Sequence, residues 1–255
     1  MTRTAVEHAA LLVAGLALFA LAWEAFVRLS GQPVYLLPPP STVAARLAAD
    51  APFLAAQALV TLEEALAGLL LGGGLALALG VAMAASRAVE RGLYPLAILV
   101  KLTPAVALAP LLIAWLGFGP APKVVVAALI SFFPFLVATI SGLRSAEPGA
   151  VEVARSLGAS VAEVFVQVRL PWALPHLFAA LRVSAGLALI GAMVAEWLGA
   201  DRGLGHVIMQ ANANLDMPEL FAAVVTLAAL GSALNAAIGA AERRALAWHP
   251  AERAL

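Results

Sequence analysis

Apolar residues fill long windows of this chain, and polar residues are bunched into the gaps between them. An α-helix needs about 20 apolar residues to cross a hydrocarbon core of about 30 Å. Six windows meet that length: 10–29, 65–85, 94–117, 123–143, 178–199 and 219–240. The stretch 144–175 between the fourth and fifth breaks the pattern. Its centre, Glu152 to Pro171 (EVARSLGASVAEVFVQVRLP), alternates charged and apolar residues. Pro148 suits a first helical turn, where its missing N–H costs nothing. Gly158 fits the position just past a helix end. Ser160 and Glu163 form the sequence of a capping box, and Pro171 stops the second helix. The pattern predicts a polar helix–turn–helix elbow between two membrane-grade segments.

The other gaps are less regular. A secretory signal is the rival reading of 10–29, because Arg3 precedes the apolar run, but no convincing cleavage site follows. Glu24 and Arg28 stand four apart and pair on one helix face. Residues 31–41 (GQPVYLLPPPS) are non-helical, since three consecutive prolines forbid a helix. Ser41 then caps an amphipathic stretch, TVAARLAADAPFLAAQALVTLEE, read as an interfacial helix. Within 65–85, Gly68 and Gly72 make a small-xxx-small pair, with Gly73, Gly74 and Gly80 nearby, which lets helices approach closely in lipid. Pro104 and Pro110 interrupt 94–117. Trp115, Trp197 and Trp248 fit interfacial belts.

Composition sharpens the class. The chain is 63% hydrophobic and 12% charged, against roughly 25% charged in a soluble domain. It reads as one all-α integral membrane domain over 1–255, with about six spans. Zero net charge gives no field for nucleic acid, and the absence of cysteine excludes disulfides, thiol catalysis and cysteine-based metal sites. Six spans put both termini on one side. With the elbow inside, the inner charges are Arg3, Arg87, Arg91, Arg144, Arg155, Arg169, Arg243, Arg244 and Arg253. The outer ones are Arg28, Arg46, Lys123 and Arg202. That bias follows the positive-inside rule and places the elbow and both termini in the cytosol.

Several chemistries are missing. Lys101 and Lys123 are followed by Leu and Val, so no phosphate-binding G-x-x-x-x-G-K-[ST] loop exists. H-E-x-x-H and G-x-S-x-G are absent, so no catalytic residues and no metal ligands are expected. The spans hold few ionisable groups, mainly Lys101, Arg182 and Glu196, too few for an evident coupling-ion site. Uphill movement of a solute would draw energy from a partner. An ATP-independent channel or membrane scaffold is the reading from another class.

The elbow also carries a resemblance. Glu152, Ala154, Gly158, Val168, Leu170 and Pro171 match E-x-A-x3-G-x9-[IV]-x-L-P. This resembles the EAA loop of the membrane permeases of bacterial ATP-binding-cassette importers; Val153 departs from the family's usual alanine. From YLLPPPSTVAARL onward nearly the whole chain is similar to that family. KLTPAVALAPLLIAWLGFG and the tail ERRALAWHP resemble its nitrate, sulfonate and taurine branch. VAEWLGADRGLGHVIMQANANLDM resembles both that branch and the permeases for thiamine pyrimidine precursors. The resemblance implies a type I importer fold and a homodimeric pore in the bacterial inner membrane. It implies two ATPase subunits that bind ATP, no cofactor on this chain, and a periplasmic or lipid-anchored solute-binding protein. It implies that the elbow couples to the ATPase through Glu152, Ala154, Arg155, Gly158, Ala159, Glu163, Leu170 and Pro171. The cargo expected is a small anion such as a sulfonate, taurine or nitrate, with a thiamine pyrimidine precursor or other heterocycle as the alternative.

Four residues are candidates for the solute path. Lys101 either stabilises an anionic solute or snorkels to the interface; Thr103 follows it, beside the Pro104 kink. Glu196 either lines the path or pairs with Arg202. Asn212 belongs to a segment, 201–217, read as an outer cap over the pore. Arg182 is expected to snorkel to cytosolic headgroups.

Overall fold

The computed structural model describes residues 2–247 and is helical, without strands, among them. Helix α1 (Thr2–Ser30) carries the first apolar window. A non-helical connector leads to α2 (Pro40–Ala49) and then α3 (Ala51–Ala85). Helices α4 (Arg87–Leu102) and α5 (Ala105–Leu116) meet at a 90° bend. Helix α6 (Pro120–Arg144) returns, and α7 (Pro148–Ser156) and α8 (Val161–Val164) build the elbow. A π turn (Phe165–Arg169) joins α8 to α9 (Leu170–Glu196). Helix α10 (Leu204–Ala213) and the long α11 (Met217–Ala245) complete the fold.

Four described helical runs are long and apolar enough to cross a membrane, or five if the bent α4–α5 pair is one span. Helix α1 adds the window 10–29. At the centre, α6 lies between α3 and α9, and five of the buried residues there are alanines, Ala65, Ala127, Ala185, Ala188 and Ala192, beside Leu69, Leu189 and Ile238. Lipid tails supply no hydrophobic drive for helix association, so close van der Waals packing must hold such helices together. A Cβ on Gly68 would overlap Ala127, one on Gly72 would land on the Ala128 carbonyl, and one on Gly80 would strike Thr139. Gly73 and Gly74 meet nothing comparable. A second core, around Met83, Ala97, Phe132 and Leu136, packs α4 against α3 and α6.

Several boundaries differ from expectation. The stretch 51–64 is no separate interfacial helix; it continues into the apolar window as one 35-residue helix. At 1.5 Å per residue α3 is about 52 Å long, well beyond a bilayer core. Helix α2 starts at Pro40, which suits the donor-free first turn, so the last two residues of 31–41 are helical. Ser41 is no N-cap. Its N–H and hydroxyl instead donate to the Glu24 carboxylate at 3.0 and 2.8 Å, and Arg28 binds the same group at 2.6 Å, as the i,i+4 spacing predicts. Pro104 breaks the third window outright, while Pro110 sits inside α5. Arg182 does not reach out alone to headgroups; it pairs with Glu242 of α11. Trp115 and Trp197 are exposed, whereas Trp248, Arg253 and the end of ERRALAWHP lie outside the described residues.

Candidate functional site

The elbow is built by local backbone chemistry. Helix α7 starts on Pro148 and ends in a Schellman motif. Ala159 donates its N–H to the Ala154 carbonyl at 3.0 Å, and Gly158 donates to Arg155 at 2.9 Å. Gly158 has φ +84°, the left-handed conformation this motif requires. A Cβ there would meet open space, so the demand for glycine within this chain is conformational. Two residues on, the capping box is complete. The Ser160 N–H donates to Glu163 Oε2 at 2.7 Å, and the Glu163 N–H donates to Ser160 Oγ at 3.3 Å.

Pro171 does not stop the second helix. Leu170 donates its N–H five residues back to Phe165, and this wider turn absorbs the proline's missing donor. The elbow's second arm therefore runs without a break into α9, a 36-residue helical stretch from Val161 to Glu196. Leu170 and Pro171 are half-buried at that junction, and Val164 anchors the arm beneath it.

The tip is more apolar than its charge pattern suggests. Val153, Leu157 and Val161 are 61%, 82% and 83% exposed. Glu152, Arg155 and Glu163 stand exposed around them, with Ala154 and Ala159 half-buried. Sequence reasoning favoured the charges and passed over these side chains, although apolar residues in a polar loop are the signal that finds them. Behind the tip lies a crevice of about 540 Å³, lined by Arg87, Arg144, Glu152, Arg155 and Arg169. Arg144 braces its wall: it donates to both Glu90 oxygens at 2.8 and 2.7 Å and to the Met83 carbonyl at 2.9 Å. The ends of α3, α4 and α6 are thus tied together beside the elbow.

The four path candidates fall into three places. Lys101 and Thr103 line one crevice of about 320 Å³ with Ile130, Phe133 and Leu187. The Lys101 ammonium lies 4.6 Å from the Phe133 ring centroid, a cation–π contact. Thr103 returns its hydroxyl to the Leu99 carbonyl at 2.8 Å. Lys101 stands four turns into α4, beside the break. Asn212 is exposed on α10, away from both.

Glu196 is 1% exposed and does not pair with Arg202. It joins a polar cluster at the far end of α9. Helix α10 has no side-chain cap of its own, and three helix-start N–H groups are satisfied from other helices. Gly203 donates to Gln57 Oε1 at 2.6 Å, Leu204 to Thr61 Oγ1 at 2.8 Å, and Gly205 to Glu196 Oε2 at 2.5 Å. Gly203, at φ +102°, packs flat on the Glu196 carboxylate, and a Cβ on Gly205 would collide with the Met193 carbonyl. Beside Glu196, the Lys123 ammonium donates to Glu64 Oε1 at 3.0 Å, both side chains being almost fully buried. Lys123, counted above among outer charges, is therefore turned into the protein. Sequence reasoning missed Gln57, Thr61, Glu64 and Lys123 as partners. The signal available was three isolated charges at the ends of three apolar windows, each needing a counter-charge.

Comparison with known proteins agrees with this architecture. Residues 68–245 match the family described as binding-protein-dependent transport system inner membrane component. The chain is 37% identical to the formylaminopyrimidine transport permease protein ThiX of Halalkalibacterium halodurans, over 89% of this chain and 90% of that one. It is 39% identical to the riboflavin transport system permease protein RibX of Chloroflexus aurantiacus, over 89% and 85%. The putative aliphatic sulfonates transport permease protein SsuC of Bacillus subtilis is 33% identical over 74% and 68%. In fold, a chain of the MetNI methionine ABC transporter, in an inward-facing conformation, superposes with a TM-score of 0.64. It is 20% identical, over 75% of this chain and 95% of that one.

Proposed function

This chain belongs to the family of binding-protein-dependent transport system inner membrane components, and on that premise we propose that its elbow is where an ATPase takes hold. The chain is a multi-pass inner-membrane permease subunit of an ATP-binding-cassette importer. In this reading two copies form the pore, both termini are cytosolic, and ATP is bound and hydrolysed on separate subunits. A solute-binding protein delivers cargo to the outer side.

One observation carries the reading: the capped, rigid elbow presents Leu157 and Val161 outward and is continuous with α9. Helix α9 spans about 40 Å at 1.5 Å per residue. A push on the elbow is thereby delivered to the outer cap at the other end of the same helix. Apolar anchors ringed by charge are what a buried contact patch needs. Glu152, Arg155 and Glu163 then serve as rim charges, Ala154, Gly158 and Ala159 hold the turn, and Leu170 and Pro171 join it to the lever. An ATP-independent channel would need no such unit. Reconstitution tests this: uptake into proteoliposomes should require the ATPase, the binding protein and nucleotide together, and flux without nucleotide would overturn it.

For the cargo, we propose a small nitrogen heterocycle, supported by the matches that cover most of the pyrimidine and riboflavin permeases. The small-anion reading, a sulfonate, taurine or nitrate, draws on the shorter match to the sulfonate permease and on exposed Lys101 with Thr103 in one crevice. Ligand binding by the cognate solute-binding protein decides between them.

A further inference from the structure

The cluster at the end of α9 holds more carboxylate than its partners neutralise. Glu64, Lys123 and Glu196 are 5%, 6% and 1% exposed. Fully ionised, the three would carry a net charge of −1 in a buried site, which is costly unless compensated. Each carboxylate has one oxygen satisfied: Glu64 Oε1 by Lys123 and Glu196 Oε2 by the Gly205 N–H. The other two, Glu64 Oε2 and Glu196 Oε1, are buried and receive no donor from the described protein groups. The two side chains come from helices that meet at the start of α10: Thr61, one turn before Glu64 on α3, accepts from Leu204, and Glu196 on α9 accepts from Gly205. The Thr61 hydroxyl accepts from Leu204 and lies 3.3 Å from the Gln57 carbonyl. An ionised carboxylate can only accept, so neither glutamate can donate to a buried acceptor until it holds a proton.

We propose that Glu64 and Glu196 hold one proton between them, and that these two, neutralised by Lys123, are the clasp that fixes α10 as the outer cap. One proton brings the charge of the three buried residues to zero. The remaining charges around the pair do not replace it. Asp201, on the turn after α9, adds a negative charge felt by Glu64. Glu63 on α3 and Arg202 are exposed, and His206 on α10 is half-buried. The clasp gathers α3, α6 and α9 onto the start of α10, so the three central helices cannot separate at that end without releasing the cap. That this end faces outward rests on the proposed orientation; the proton count does not.

The test uses the full chain in lipid nanodiscs at neutral pH. The infrared difference spectrum of wild type minus Glu196→Gln should contain a protonated carboxylic acid carbonyl stretch that shifts in D2O, and wild type minus Glu64→Gln should contain it too. Hydrogen exchange is then followed at the first amides of α10. Glu196→Gln, which keeps the acceptor for Gly205 and carries a donor in place of the acid, should exchange within about threefold of wild type. Glu196→Ala should exchange about tenfold faster or more, the loss of a hydrogen bond to a buried carboxyl group. Absence of the acid band overturns the shared proton, and so does a band that is present but unchanged in both glutamine variants. Release of α10 by Glu196→Gln as large as by Glu196→Ala overturns the clasp.

Discussion

Ala159 donates its backbone N–H to the carbonyl of Ala154 at 3.0 Å, across a Gly158 held at φ +84°. That one bond closes α7 and aims the next helix. An L-residue in the left-handed conformation costs about 1–2 kcal/mol, and a β-branched one is a marked outlier there. Gly158→Val should therefore fray α7, seen as faster hydrogen exchange over 154–159, and abolish ATP-driven uptake while the protein still inserts. Gly158→Asn, which tolerates this conformation, should keep α7 ordered. Any uptake it loses then reports the side chain obstructing a partner.

The exposed tip makes the next expectation. Leu157 and Val161 are over 80% exposed, so Leu157→Asp and Val161→Asp should change thermal stability by no more than about 0.5 kcal/mol. If these residues anchor the ATPase, each should weaken co-purification about tenfold or more, as truncated anchors at interfaces do. Unchanged co-purification by both variants would remove the tip from the interface.

How far the chain could be read in advance follows from the range of the forces involved. The elbow was legible because its determinants are local: Pro148, Gly158, Ser160 and Glu163 act within one or two turns of themselves. The apolar windows were legible because lipid imposes their length. Pro171 was misread because a helix-stopping proline is tolerated once a π turn precedes it, a choice made by the tertiary course of α9. The helix 51–64 was misplaced because polar Gln57, Thr61 and Glu64 made that stretch look like a surface helix. Those residues are polar to serve Gly203, Leu204 and Lys123, which stand 146, 143 and 59 positions away. Partners at that separation leave no periodic trace in one sequence.

The glycines of α3 separate into two kinds. Gly72→Leu should push α3 off α6 and destabilise the protein by about 1–3 kcal/mol, the usual range for overpacking. Gly74→Leu, two residues on, meets open space and should leave the melting temperature in detergent almost unchanged. Equal effects at the two positions would contradict the packing of α3 on Ala128.

The buried ion pair should behave asymmetrically. Lys123→Ala leaves Glu64 buried and unpaired, which costs about 3–5 kcal/mol, whereas Lys123→Met with Glu64→Leu removes both charges and should be close to neutral. A double-mutant cycle on thermal unfolding measures this coupling. A double variant as unstable as the single one would mean that the pair contributes packing alone.

If the elbow, and no other exposed segment, is gripped by the ATPase, position 157 sits at the contact. The chain has no cysteine, so single cysteines report without background. In the assembled importer, Leu157→Cys should cross-link to the ATPase subunit, and nucleotide should change its yield. Asn212→Cys, exposed at the opposite end of α9, should give no ATPase adduct. Cross-linking at Asn212 with none at Leu157 would mean that the ATPase does not grip the elbow.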